Sequence, residues 1–182
     1  MKIDIKSLLD MRSNKITNYI VPGLSSSLIG GIGENGTVRL FESERDQQEH
    51  ITPHSHRFNF QCIVLEGVVQ NSIWVEQRGE LAGKNSDQFQ SSTLTYGKEV
   101  GVYEKKTKGR SYYDCFTNIY KTGDVYHMNH RQIHSIKFGR RTKVLFFEGK
   151  TITDKTTIIE PVVDDIHIPT FKVENWMFKK SK

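Results

Sequence analysis

Apolar and polar residues alternate with period two along most of the chain, and the apolar runs are short. Phe58-Asn59-Phe60-Gln61-Cys62-Ile63-Val64-Leu65 shows the pattern: β-branched, aromatic and polar side chains succeed one another as they do on a half-buried pleated surface. Similar runs predict strands at 26–29, 37–42, 58–65, 68–76, 91–96, 112–120, 124–128, 135–138 and 142–148, with a last apolar stretch at 156–163. No stripe of period 3.6 competes with them. One short helix is expected at 7–12, where Ser7 can cap Leu8 and Leu9. The polar segment 80–90 reads as a loop. Many short strands and little helix predict an all-β sandwich or barrel.

Asn35-Gly36 between the first two strands is a hairpin signal, because a type I′ turn needs positive φ at both central residues. The same stretch contains Gly31-x-Gly33-x-x-Gly36, formally a dinucleotide fingerprint. That motif requires a following helix to hold the pyrophosphate, and Thr37-Val38-Arg39-Leu40-Phe41 is strand-forming instead, so the nucleotide reading is rejected. Neither a repeat nor a linker divides the 182 residues, and a single domain is expected over 1–182.

Composition changes this picture little. Hydrophobic residues make up 36% and aromatics 10%, which excludes a disordered or fibrous chain. The 26 Lys and Arg against 21 Asp and Glu leave +5, spread apart from Lys105-Lys106-Thr107-Lys108-Gly109-Arg110, Arg140-Arg141 and the last four residues. These runs read as solvated loops and ends. They are not interleaved with aromatics on a recognition element, which argues against a nucleic-acid partner. Two cysteines, Cys62 and Cys115, make no disulfide framework. No apolar run approaches the roughly 20 residues of a membrane span, and the first residues form no apolar leader. A soluble, cytoplasmic protein is expected.

The chemistry lies in seven histidines, at positions 50, 54, 56, 127, 130, 134 and 167. In an extended segment His54 and His56 point to one side and can converge on one metal ion. Phe58, Phe60, Cys62 and Val64 continue that side, so it faces a core. A second unit, Gly123-Asp124-Val125-Tyr126-His127-Met128-Asn129-His130-Arg131-Gln132-Ile133-His134, opens on a turn, passes a polar bend and ends on a histidine.

These two units resemble the motifs of the cupin superfamily, the RmlC-like jelly rolls. The first, G-x5-H-x-H-x3,4-E-x6-G, is matched by His54, His56 and Gly67; the second, Gly-Asp with a histidine eleven residues on, by Gly123, Asp124 and His134. The resemblance covers about 37–148. It implies a cupin-type double-stranded β-helix, with an N-terminal arm over 1–36, a C-terminal extension over 149–182 and a long insertion at 68–122 holding an extra hairpin or lid. The usual glutamate ligand is replaced by Phe60, or by Gln61 at the longer spacing.

By that resemblance His54, His56 and His134 form a neutral three-nitrogen metal face with open positions. Imidazole suits Fe(II), Zn, Ni and Cu. Fe(II) is favoured, with Zn, Ni or Mn as alternatives, because the pattern is similar to three-histidine thiol dioxygenases. In some of these a cysteine near the missing glutamate is cross-linked to a tyrosine, and Cys62 lies close to that position; it also reads as a buried core residue. Tyr126 either offers a hydroxyl to a ligand or fills the core. Arg39 either pairs with a substrate carboxylate or faces solvent. His127 and His130 belong to the rim. The expected function is a dioxygenase acting on a small thiol- or carboxylate-bearing molecule. Its rivals are a non-catalytic cupin that senses or sequesters a small anion, and a metal-free sugar-nucleotide epimerase or isomerase. The assembly is left open, with a homodimer as one arrangement that the resemblance allows.

Overall fold

The computed structural model describes residues 7, 10–33, 36–47, 50–78, 87–97 and 103–162. Every named element among them is a strand: β1 (Ser13–Ile16), β2 (Leu24–Ile32), β3 (Gly36–Ser43), β4 (Phe58–Glu66), β5 (Val68–Gln77), β6 (Asp87–Tyr96), β7 (Tyr103–Lys121), β8 (Val125–Met128), β9 (Ile133–Phe138), β10 (Lys143–Thr151) and β11 (Lys155–Pro161). They form two antiparallel sheets, ordered β1-β2-β3-β10-β4-β8 and β11-β6-β7-β5-β9, curled into a jelly roll.

The period-two pattern sets what each sheet buries. Across the first sheet Arg39 pairs with Phe146, Phe41 with Val144 and Thr37 with Glu148. On the other side of β10, Phe146 pairs with Cys62, Val144 with Val64 and Glu148 with Phe60. Cys62 and Phe60 then pair with Tyr126 and Met128 of β8. These residues share the inner face. Phe60, Cys62, Val64, Tyr126, Met128, Val144 and Phe146 join Val69 and Phe138 of the second sheet in the main core. Full burial of each such side chain contributes about 1.5–3 kcal/mol.

Residues 53–55 tie the sheet ends together. His54 N–H donates to His134 O (2.9 Å) and His134 N–H to His54 O (3.0 Å), while Ser55 N–H donates to Thr157 O (2.8 Å) and Ile159 N–H to Pro53 O (3.1 Å). This short segment lies between β9 and β11, the two outer strands of the second sheet.

Several elements differ from the expectation. β1 was not foreseen, since its Ser-Asn-Lys-Ile carries no apolar alternation. No helix is among the named elements, and positions 8–9 of the one expected at 7–12 lie outside the described residues. So do the Asn35 end of the predicted turn and most of the loop expected at 80–90, but Asp87 to Gln90 is already strand β6. The insertion contains a β6–β7 hairpin. Its second strand runs 19 residues, pairing with β6 through 103–113 and with β5 through 112–121. It is part of the wall of the second sheet.

Gly67 makes the connection between β4 and β5 with φ +84°, and a Cβ there would lie 2.5 Å from Thr142 Oγ1 and 2.8 Å from its backbone. The same hydroxyl donates to Val68 O (2.9 Å) and accepts from Val68 N–H (3.1 Å), so it has no room to retreat. Gly67→Ala is therefore expected to cost roughly 2–4 kcal/mol in chemical denaturation. Gly30→Ala, with no atom within 4 Å of the added methyl, is expected to stay within about 0.5 kcal/mol.

Candidate metal centre and cavity

His54 and His134 face one another across the bridge between residues 53–55 and β9, and His56 follows two positions on. The ligand nitrogens of all three lie within 4.8 Å of one another. Ring centroids are separated by 4.7 Å (His54–His56), 5.2 Å (His54–His134) and 5.1 Å (His56–His134). Among the described residues no other group of three or more His, Cys, Asp or Glu side chains comes together in this way.

Neighbouring acceptors set the tautomers. His54 Nδ1–H donates to the Thr52 carbonyl at 2.7 Å, and His134 Nδ1–H to Asn71 Oδ1 at 2.7 Å. Each ring is left with Nε2 as its unprotonated nitrogen, the atom a metal takes. Asn71 is itself buried and oriented, its amide donating to Met128 Sδ at 3.6 Å. His56 Nε2 lies 2.9 Å from His134 Nε2. With His134 Nε2 bare, that contact requires a proton on His56, which a cation held between the rings would replace. The separation also suits two ligands at right angles about 2.1 Å from one ion. The donor set fits a divalent metal.

All three imidazoles are held below the ordinary histidine value of 6.5, His56 and His134 well below it. Burial is the main cause for each, and for His56 and His134 the neighbouring imidazoles add to it. The neutral form, which ligation requires, is therefore present at neutral pH. Unfolded histidine takes up protons below 6.5 and the folded rings resist, so the metal-free protein loses stability as pH falls below that value.

The histidines stand on the wall of a cavity of about 260 Å³. Phe60, in the position the resemblance reserves for glutamate, packs edge-on to His56 (4.7 Å) and lies 5.6 Å from His134. Phe41, Phe58, Phe138, Phe146, Ile51 and Ile136 continue an apolar lining. Cys62 and Tyr126 also border it. Burial pushes the Cys62 thiol up to about 12. It also raises the Tyr126 phenol well above its usual 10, with the thiol directly opposite across the β4–β8 pair as its polar neighbour. Neither ionises near neutral pH.

Arg39 is on the cavity wall, its Nη1 donating to Ser26 Oγ at 3.3 Å. Gln61 is not: it points to the opposite face of β4, into an open depression shared with His127, Asn129 and Gln132. His130 Nδ1 lies 3.2 Å from Asn59 Oδ1, and His50 Nδ1 lies 3.4 Å from Ser135 Oγ. Residue 167 lies outside the described residues. Sequence reasoning missed Glu148, Arg57, Tyr96 and Tyr19, all of which line the cavity. A carboxylate on the inner side of predicted strand 142–148 was the one signal available for them.

No protein-family model matches the chain, and none of the curated proteins does. Among solved structures it is similar to cupin-superfamily proteins. They include hydroxypropylphosphonic acid epoxidase from S. wedmorenis, with 13% identity and TM-score 0.45 over 77% of this chain and 56% of that one. A second is the oxalate decarboxylase of Lactobacillus farciminis, solved as a formate complex, with 9% identity and TM-score 0.46 over 77% and 31%. A third is described as a cupin superfamily protein of Desulfitobacterium hafniense, with 11% identity and TM-score 0.39 over 76% and 84%. The chain thus spans little more than half of the first and under a third of the second. These similarities are weak, and the chemistry of the site follows from its own geometry. No helix among the described residues is long and apolar enough to cross a membrane.

The two cysteines provide a direct check on the cavity. Cys115 is exposed and Cys62 buried. Alkylation at pH 8 under native conditions is expected to label Cys115 alone, with Cys62 reacting only after denaturant is added, as peptide mass mapping will show.

Proposed function

We propose that this chain is a metal-dependent cupin that holds a divalent cation, Fe(II) by preference, on His54, His56 and His134, and acts as a dioxygenase on a small molecule admitted to the cavity beside it. The observation that carries the proposal is the convergence of three neutral imidazoles, two with their second nitrogen tied to an acceptor, on the wall of an apolar cavity. When bound, such an ion would supply Lewis acidity and a redox couple able to engage oxygen. The residues of the chain do the rest. Asn71 and Thr52 orient their rings, Phe60 keeps a carboxylate out of the ligand set, and the phenylalanine lining excludes water from the reacting volume. A ligand set without negative charge leaves the cation's full charge to attract an anionic substrate group.

A non-catalytic cupin that captures a small anion is the second reading, favoured by the cavity's arginines; oxygen consumption with candidate thiols and carboxylates separates the two. The metal-free isomerase has less support. Its acid would be Tyr126, whose hydroxyl is buried against a thiol rather than presented to a base.

Protein reloaded with Fe(II) is expected to carry about one ion per chain. His54→Ala, His56→Ala and His134→Ala should each abolish retention through desalting. Asn71→Leu, which leaves every ligand in place, should weaken affinity by roughly 10–100-fold. Metal content well below stoichiometric in the loaded wild-type protein overturns the proposal.

A further inference from the structure

Among the described residues, three charged side chains line the cavity, and none has an ion-pair partner within 4.0 Å. Arg39 donates to the Ser26 hydroxyl (3.3 Å), Glu148 accepts from the Thr37 hydroxyl (3.1 Å), and Arg57 lies over the Tyr96 ring (4.6 Å). Ion pairs within 4.0 Å do form elsewhere, at Arg12–Glu42, Arg78–Glu76, Lys105–Glu160 and Lys143–Glu66. These half-buried charges have only neutral hydrogen-bonding or ring partners within close contact, and a ligand carrying complementary groups would complete them.

Register explains how they meet. Thr37 is opposite Glu148 and Arg39 opposite Phe146, so the guanidinium and the carboxylate start from diagonal positions on one inner face. Glu148 is in turn directly opposite Phe60, the ring that packs against His56. A carboxylate is thus present beside the centre, but one strand away from the ligand position. Both arginines act on it electrostatically.

We propose that Arg39 and Glu148 form a dipolar head-group subsite, and that the ligand is an apolar-bodied acid carrying a hydrogen-bond donor next to its carboxylate: a 2-hydroxy- or 2-amino-carboxylate with a hydrophobic side chain. The carboxylate lies against Arg39, whose fork offers two parallel N–H donors, and Arg57 adds positive charge. The adjacent hydroxyl or ammonium donates to Glu148. The body of the ligand contacts Phe41, Phe58 and Phe146. Glu148 is the specificity-determining member, because a carboxylate without a donor partner rejects a plain acid by desolvation and repulsion.

This deepens the proposed function and shares its cavity, but the head-group preference belongs to protein side chains and is measurable without metal. Calorimetric titration of the whole chain, chelated and Zn(II)-loaded, with 3-phenylpropionate, phenethylamine, 3-phenyllactate and phenylalanine tests it. The two donor-bearing acids are expected to bind at least about tenfold tighter than the two single-function probes in both forms. Arg39→Met should remove that advantage. Glu148→Met should bring the donor-bearing acids level with 3-phenylpropionate. Glu148→Gln, nearly isosteric and so the safer variant to fold, should weaken phenylalanine more than phenyllactate.

Equal binding of 3-phenylpropionate and the donor-bearing acids, no binding of any probe, or a preference that survives Glu148→Gln and Glu148→Met overturns the subsite. Failure of metal loading with the preference intact removes the metal centre and leaves the subsite standing. Stoichiometric metal without the preference does the reverse.

Discussion

Two backbone hydrogen bonds between His54 and His134 hold this molecule's chemistry in place. They join segments 80 positions apart into one antiparallel pair, and each partner carries an imidazole. Side chains directly opposite in such a pair stand within about 4.5–5.5 Å at Cβ. The convergence of the rings therefore follows from main-chain pairing rather than from flexible side-chain reach. His56, two residues on, is brought to the same side by the extended backbone. The paired backbone is costly to deform, and rigid elements of this kind hold a site more tightly than loops do.

The cavity beside this pair has two distinct polar regions in an apolar frame. One is neutral and nitrogen-rich, with the imidazoles pushed toward their uncharged forms by burial and by each other. The other carries formal charge on Arg39, Arg57 and Glu148. Burial raises the carboxyl of Glu148 above its usual 4.5, opposed in part by the Thr37 hydroxyl and then by the two arginines. Phe60 connects the regions, touching an imidazole on one side and lying opposite the carboxylate on the other. Its ring separates the two kinds of chemistry, so that negative charge approaches the centre only with whatever enters.

Much of this was legible along the chain. Period-two alternation placed most strands, although the basic run 105–110, read as a loop, is part of the first half of β7. Continuing the parity of His54 and His56 through Phe58, Phe60 and Cys62 identified the inward face, because side-chain direction in a strand is a local property. Spacing also singled out His134. What stayed hidden was relational. Gln61 was a candidate beside Phe60 because one-residue ambiguities in spacing cannot be resolved without the pleat, which sends it to the opposite face. Glu148 looked like the polar end of a strand; only the pairing of β10 with both β3 and β4 puts it next to Arg39 and Phe60. Arg57 gains its place from an aromatic 39 positions away. β1 was invisible because an edge strand owes its existence to the neighbour that pairs with it.

The hairpin inside the insertion also contributes to the cavity. Its first strand supplies Leu94 and Tyr96, and pairs with β11, which supplies Thr156 and Ile158. Its second strand continues without interruption into the partner of β5. The segment between the two histidine-bearing units is thus not a detachable ornament. Trimming it to a short turn would remove Leu94 and Tyr96 and the strand that β11 pairs with, and so breach the enclosure around the imidazoles.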